Sequence, residues 1–324
     1  MRRVIQYLLR RTANSLARRI AATLAASEDL ANRVAYRVAV EGRLQPIDGR
    51  PPRERFHGIS DDFWFWICTE GFRRHTQLQD LLPGVPDESV QLNFTGAAGD
   101  RVLLQGFRFY QLVSRLYRTH VGPLEDCGQV LDFGCGWGRI IRFFLRDLDP
   151  SRLCGVDPNA DMIHFCKSTN RWCTFERTST RPPTALLPES IDLIYAFSVF
   201  SHLPEPVHEE WLIELKRVLR PGGLLIATTR ARDFIPYCAA LRNDKRLPSL
   251  SSGIRASALS FPDTAESLAA YDRGEYCFTL HRNDWGDCAI PKGYVMSRWA
   301  PHLTFVDYID DPAQCPQNVI VMQK

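Results

Sequence analysis

Short apolar runs alternate with helical stripes over the second half of the chain. The runs have the length of β-strands, whereas the stripes repeat with the spacing of a buried helix face. We predict strands at residues 129–133, 152–156, 191–196, 224–228, 303–308 and 318–322, and helices at residues 139–148 and 211–219. Strands that alternate with helices are typical of an α/β fold with a mostly parallel sheet.

A separate helical pattern precedes this region. One apolar helix face, ending near Gly122, consists of Phe107, Tyr110, Val113, Leu116 and Tyr117. Residues 42–60 are rich in Pro, Gly and Arg, which indicates a linker. We therefore predict a helical segment at 1–41, a linker at 42–60, an N-terminal helical extension at 61–122 and an α/β domain at 123–324.

The first segment is strongly basic. Residues 1–56 carry 12 Arg, no Lys and 5 acidic residues, and six of these Arg precede the first acid, Glu28. Apolar residues recur between them at helical spacing, so we predict a basic amphipathic helix. One interpretation is a peripheral helix on an anionic membrane surface, here the inner membrane face. We favour the other, in which the helix packs on its own domain or on a second copy of the chain, and we rank an organellar transit peptide below both.

Composition excludes several classes of protein. The 324 residues are 45% hydrophobic and 24% charged, as in an ordinary globular protein, and 40 basic against 37 acidic side chains give a net charge of +3. That balance disfavours a dedicated nucleic-acid binder, and no run reaches the roughly 20 apolar residues of a membrane span. No two of the ten cysteines form a Cys-x-x-Cys pair. We expect reduced thiols in a cytoplasmic protein and no metal site.

A glycine-rich loop follows the first predicted strand. It reads Asp132-x-Gly134-x-Gly136-x-Gly138, and Asp157 ends the next strand. Glycines let backbone amides approach a ligand closely, and an acid at this spacing suits the hydroxyls of a ribose. The dinucleotide fingerprint requires glycine at position 139, where this chain has Arg. The loop therefore indicates a nucleoside without a pyrophosphate.

These residues resemble the class I S-adenosylmethionine-dependent methyltransferases. The resemblance extends to Asp157-Pro158-Asn159, to the strand at 191–196 and to Arg220-Pro221-Gly222-Gly223 before the next strand. It covers about residues 105–230 and the last 21 residues. It implies a doubly wound Rossmann-like sheet with an antiparallel C-terminal strand, S-adenosyl-L-methionine as cofactor, and a lid over the active site at 230–303.

The resemblance also implies roles for individual residues. Asp132 would orient the methionine amino group, and Asp157 would accept hydrogen bonds from both ribose hydroxyls. The remaining cofactor-binding candidates are Gly134, Cys135, Gly136 and Gly138 in the loop, Pro158 beside the adenine, and Phe197 and Ser198 facing the methyl group. We expect no thiol chemistry from Cys135. Two roles for Arg139 stay open: a contact to the cofactor carboxylate, or a solvated or ion-paired side chain.

For the reaction, the resemblance is closest to a bacterial subgroup that often acts in glycan or secondary-metabolite pathways. We expect methyl transfer to a hydroxyl of a small molecule or saccharide, with a nitrogen acceptor as the alternative. An oxygen acceptor of high pKa benefits from a general base. Our first candidate is His202, followed by His281 and Glu275 in the lid.

Two negative features narrow the function further. Residues 197–203 hold no acid that could bind a catalytic metal, and they lack the (Asp/Asn)-Pro-Pro-aromatic signature of nucleic-acid amino-methylating enzymes. We therefore expect neither a metal nor a nucleic-acid substrate. A nicotinamide-dependent oxidoreductase is disfavoured by Arg139. A non-catalytic scaffold with this fold is disfavoured by the intact glycine loop with Asp157.

Overall fold

A computed structural model of the chain describes residue 36 and residues 39–44, 49–282 and 285–324. The predicted basic segment at 1–41 lies outside the described residues except for positions 36 and 39–41, which are helical. Within the described ranges, no helix is long and apolar enough to cross a bilayer.

Seven strands form one sheet with the order β3-β2-β1-β4-β5-β9-β8. The strands are β1 (Val130–Phe133), β2 (Leu153–Asp157), β3 (Thr174–Arg177), β4 (Ile191–Ala196), β5 (Leu219–Thr229), β8 (Thr304–Ile309) and β9 (Asn318–Gln323). Strand β9 is antiparallel to both of its neighbours, β5 and β8, and the pairs among β1–β5 are parallel. Strands β6 (Cys277–Arg282) and β7 (Trp285–Ala289) form a separate antiparallel hairpin. The predicted α/β fold is confirmed. Strands β1 to β3 are added towards one edge of the sheet, and β4 and β5 are added on the other side of β1. Ligands bind in such folds at the point between β1 and β4 where this order changes.

Helices flank the sheet and build the N-terminal part. They are α1 (Pro52–Phe56), α2 (Asp61–Trp66), α3 (Phe72–Arg74), α4 (Thr76–Leu81), α5 (Glu88–Thr95), α6 (Asp100–His120), α7 (Ile141–Phe144), α8 (Ala160–Thr169), α9 (Glu205–Val218), α10 (Phe234–Arg242), α11 (Ser252–Ser257), α12 (Thr264–Asp272) and α13 (Lys292–Tyr294). Short π-helical turns at Ile67–Gly71 and Val295–Trp299 follow α2 and α13. The five residues that mark the predicted face of α6 are all buried, as expected.

Three boundaries differ from the sequence prediction. The helix predicted at 211–219 is α9, which begins at Glu205, six residues earlier. The helix predicted at 139–148 is reduced to α7, because Gly138 has a positive φ of 74° and tight turns surround the short helix. Strand β5 begins at Leu219 and includes the Pro221-Gly222-Gly223 segment that we expected to precede the strand. The Pro-Gly-Gly segment pairs with the last residue of the sequence through two backbone hydrogen bonds. Gly222 N donates to Lys324 O at 2.6 Å, and Lys324 N donates to Gly223 O at 3.0 Å.

The N-terminal helices pack directly on the α/β part. The indole of Trp64, which is fully buried, donates to Phe143 O at 3.0 Å, and Arg146 forms an ion pair with Asp61 at 2.7 Å. Part of the predicted linker belongs to this interface: Phe56 of α1 is fully buried. A linker is thus the wrong description of residues 52–56, because a Pro at the first turn starts a helix there.

Candidate active site

The glycine loop connects β1 to α7 in a conformation that only glycine adopts readily. Gly134, Gly136 and Gly138 have φ values of 78°, 53° and 74°. A Cβ on Gly134 would collide with the side chain of Val199, and a Cβ on Gly136 would lie 2.6 Å from Cε1 of Phe94. The turn therefore favours glycine at all three positions, and the close approach of neighbouring side chains adds a second requirement at Gly134 and Gly136.

Asp132, at the end of β1, has an unpaired buried oxygen. The residue is 2% exposed, and its Oδ2 has no hydrogen-bond partner among the residues described. Burial raises the pKa of its carboxyl to about 7, and the nearby Tyr195 hydroxyl acts in the opposite direction. An ammonium group would supply the missing donors and favour the ionised carboxylate. This fits the role expected for Asp132, which is to hold the amino group of the cofactor.

The raised pKa of Asp132 has a consequence for stability. A carboxyl whose pKa rises on folding loses stabilising free energy as the pH increases from about 4 through 7. We expect Asp132→Asn, which cannot ionise, to be more stable than wild type at pH 8 without cofactor, by at least about 1 kcal/mol. The advantage should shrink towards pH 5. Urea unfolding at the two pH values measures it, with the exposed Asp161→Asn as control; equal stabilities at pH 8 would contradict the assignment.

Asp157 is the last residue of β2, and both of its carboxylate oxygens are oriented by backbone amides. Gly136 N donates to Oδ2 and Asn159 N donates to Oδ1, each at 2.8 Å. Burial raises the pKa of this carboxyl, and the two amides lower it. Each oxygen retains a lone pair, so the pair can accept from two ribose hydroxyls. Pro158 follows on the surface, as an adenine contact requires.

Arg139 is buried beneath the N-terminal extension and is not solvated. Its guanidinium donates to Gln105 Oε1 at 2.6 Å and lies 5.1 Å from the centre of the Phe197 ring. Burial lowers its pKa to about 10, while the charge of Asp132 acts to raise it. The hydrogen-bond partners of Arg139 are neutral and its side chain is buried, so it is neither solvated nor ion-paired to a described residue. The other role, a contact to the cofactor carboxylate, stays a prediction.

Ser198, directly after β4, has an unusual backbone conformation for a serine. Its φ is 61°, and its amide donates to Thr228 Oγ1 at 2.7 Å. The Ser198 hydroxyl accepts from Gln317 Nε2 at 2.9 Å. The hydrogen bonds between Ser198 and Thr228 of β5, and between Ser198 and Gln317, the residue before β9, therefore hold the turn in place. The sequence analysis missed both partners, since neither belongs to a recognisable motif.

The two candidate histidines meet at an acid that the sequence analysis did not identify. Asp287, in β7, lies 3.5 Å from Nδ1 of His202 and 3.1 Å from Nε2 of His281. Its carboxylate also accepts from Ser260 Oγ at 2.9 Å and pairs with Arg230 at 3.4 Å. Asp287 is 1% exposed, and its pKa is lowered by Arg230 and His202 against the effect of burial.

This cluster lies at the carboxyl edge of the sheet. His202 follows β4 and Arg230 follows β5, and these strands are parallel neighbours. The hairpin is attached there, since Gly286 N donates to His202 O and Cys288 N donates to Ser201 O, both at 2.9 Å. The predicted lid segment therefore contributes Asp287 to the edge that also carries the glycine loop. No sequence signal marked Asp287, because its spacing to the histidines has meaning only in the folded chain.

His202 is held in a single orientation. Its Nδ1 lies 2.6 Å from Gly286 O, an acceptor, so Nδ1 carries the proton and the lone pair of the neutral ring is on Nε2. The imidazole also stacks on Trp285, with ring centres 4.1 Å apart. Burial, with a contribution from Arg230, lowers the pKa of His202 to about 4, although Asp287 raises it. The ring is therefore neutral at pH 7, the form that can accept a proton.

Glu275 is not part of this cluster. It is exposed, and its carboxylate pairs with Arg273 at 2.6 Å on the surface. The expectation that Glu275 serves as a catalytic group is corrected accordingly: its position close to His281 in the sequence does not bring it to the same cluster, because Glu275 precedes β6 and its side chain faces solvent. His202, His281 and Asp287 are the titratable residues that the structure brings together.

Comparisons with known proteins identify what this chain is similar to. Residues 131–225 match the family model of a methyltransferase domain. The chain is 34% identical over 103 residues to a trans-aconitate 2-methyltransferase of Azoarcus sp., covering 32% of this chain and 39% of that protein. It is 28% identical over 169 residues to a malonyl-[acyl-carrier protein] O-methyltransferase of Hahella chejuensis, covering 50% and 57%. The matches thus span about half, or less, of these curated relatives.

A solved structure also superimposes on the chain. It is a Burkholderia thailandensis 1,6-didemethyltoxoflavin-N1-methyltransferase, with 14% identity, a TM-score of 0.45, and coverage of 75% of this chain and 94% of that one. With the sheet order, the glycine loop and the family match together, the chain contains a class I S-adenosylmethionine-dependent methyltransferase domain. S-adenosyl-L-methionine is the cofactor of that class, and the unpaired Asp132 Oδ2, the glycine loop and Asp157 fit it.

Proposed function

We propose that this chain transfers a methyl group from S-adenosyl-L-methionine to an oxygen atom of a small molecule, and that a hydroxyl is the acceptor. The observation that carries the choice of oxygen is His202. Its neutral imidazole is fixed by Gly286 O and stacked on Trp285, and its Nε2 is free to accept a proton. A hydroxyl acceptor of high pKa benefits from such a base, because it loses its proton as it gains the methyl group.

The bound cofactor supplies an activated methyl group on a sulfonium. Asp132 would hold the methionine amino group and Asp157 the ribose hydroxyls, and the loop glycines would allow the backbone to lie against the cofactor. Bound there, S-adenosylmethionine would give its methyl group to the acceptor oxygen and leave as S-adenosylhomocysteine, and His202 Nε2 would take the proton that the hydroxyl loses. Asp287 would stabilise the resulting imidazolium, since its carboxylate lies 3.5 Å from Nδ1. Orientation of the two reactants supplies much of the rate.

A carboxylate acceptor is the second candidate. Arg230 lies beside Asp287, and its Nε is buried with no hydrogen-bond partner in the described part of the chain, so it can bind an anion. Two relatives are named for trans-aconitate and for a malonyl thioester, both of which carry carboxylates. A carboxylate is already ionised at pH 7 and would not need His202 as base. The saccharide acceptor expected from the sequence stays a prediction.

A methyl-transfer assay separates these candidates. The protein is incubated with S-adenosylmethionine carrying a labelled methyl group and with matched sets of small alcohols, phenols, sugars, carboxylic acids and amines. We expect label in ethers of hydroxyl acceptors and release of S-adenosylhomocysteine. Transfer to carboxylic acids alone would favour the second candidate, and transfer to amines alone would contradict an oxygen acceptor. Asp157→Ala serves as the inactive control.

A further inference from the structure

An exposed aromatic ring from the N-terminal extension lies on the glycine loop. A Cβ built on Gly136 would stand 2.6 Å from Cε1 and 3.0 Å from Cζ of Phe94, so the ring is in contact with the loop backbone. Phe94 is nonetheless 44% exposed, which leaves much of its apolar surface uncovered. Gly136 N donates to Asp157, so the ring lies beside the part of the loop that orients the ribose-binding carboxylate.

Helix α5, which carries Phe94, is anchored at both ends. The buried Gln91 side chain donates to Pro86 O at 2.7 Å and accepts from Gly99 N at 2.9 Å. The helix ends at Gly96 in the left-handed conformation, with φ 73°. The position of the Phe94 ring is thus set by the fold of the extension. It does not depend on a surface loop.

We propose that Phe94 is a cofactor-binding residue, whose ring packs against the nucleoside side of the bound S-adenosylmethionine. This rests on the proposed use of that cofactor. When a ligand covers the apolar surface of a half-exposed aromatic ring, the burial of that surface stabilises the complex. The ring lies outside the segment 131–225 matched by the family model, so the extension would complete a site that the matched segment forms only in part.

Binding measurements on single variants test the proposal. We expect Phe94→Ala to raise the Kd for S-adenosylmethionine and for S-adenosylhomocysteine about tenfold each, with faster dissociation, and Phe94→Tyr to restore both. Leu92→Ala is the matched control, because Leu92 is on the same helix and is 43% exposed, and its Kd should equal that of wild type. Titration calorimetry gives the affinities, and stopped-flow tryptophan fluorescence gives the dissociation rates.

The outcomes separate this inference from the proposed function. If wild type binds and Phe94→Ala binds equally well or more tightly, the ring is a bystander or an obstruction and the proposal is overturned. A loss for S-adenosylmethionine that exceeds the loss for S-adenosylhomocysteine would place the ring at the sulfonium and overturn the nucleoside-side assignment. If wild type itself does not bind S-adenosylmethionine, the proposed function fails instead. Unfolding curves of the variants without cofactor should match wild type.

Discussion

Asp157→Ala is expected to weaken the binding of S-adenosylmethionine by about 100-fold or more. The substitution removes a carboxylate that would accept two hydrogen bonds from the ribose, and hydrogen bonds to a charged group contribute about 1.5–3 kcal/mol each. It also leaves the amides of Gly136 and Asn159 without their partner, so the loop loses its orientation. Titration calorimetry of the purified variant measures the change.

Two further variants keep this prediction specific. Asp161→Ala removes an exposed acid in the first turn of α8, four residues further along, and its affinity should stay within twofold of wild type. Asp157→Asn retains one carbonyl acceptor and should fall between wild type and the alanine variant. An Asp157→Ala protein that remains folded by circular dichroism and binds as tightly as wild type would show that the ribose lies elsewhere.

His202→Gln is expected to lower kcat by about 100-fold or more with a hydroxyl acceptor, because general-base catalysis contributes about 10²–10⁴-fold. KM should change little, since the loss concerns proton transfer. In wild type, activity should fall as the pH decreases through about 4, where His202 gains a proton and can no longer act as a base. Steady-state kinetics across the pH range, limited to conditions in which the protein stays folded, measure both effects.

Two further variants, one outside the cluster and one inside it, test this prediction. His302→Gln changes an exposed histidine outside the cluster and should leave kcat unchanged. Asp287→Asn removes the carboxylate that raises the pKa of His202, so kcat should fall with a smaller change in KM and the acid limb of the profile should move to lower pH. If kcat of His202→Gln equals that of wild type, His202 is not the general base. That result would favour the second candidate, in which the acceptor is a carboxylate.

The cofactor site was largely predictable because its residues are close in sequence. Asp132 and the three glycines occupy one strand and one turn, and Asp157 ends the next strand, so local spacing was enough to place them. Six of the seven strands of the sheet could be predicted, because each contains a short apolar run. Strand β3 was not predicted, since its sequence Thr-Phe-Glu-Arg has one buried residue and three exposed ones. The roles of these residues toward the cofactor stay predictions until binding is measured.

The acceptor site was predictable only in part. His202 was chosen because it follows β4, and His281 and Glu275 were chosen because they lie in the predicted lid. That reasoning could not identify Asp287, which joins the two histidines through a hairpin 85 positions beyond His202. Phe94 reaches Gly136 because the N-terminal helices pack on the α/β part, and no local pattern encodes that packing.

The central claim is that this glycine loop binds S-adenosylmethionine and not a dinucleotide. Calorimetric titration of the purified protein with S-adenosylmethionine, beside a titration with NADH, tests it most directly. We predict saturable binding of S-adenosylmethionine at one site per chain and no heat of binding from NADH. Binding of NADH without binding of S-adenosylmethionine would contradict the account and indicate an oxidoreductase.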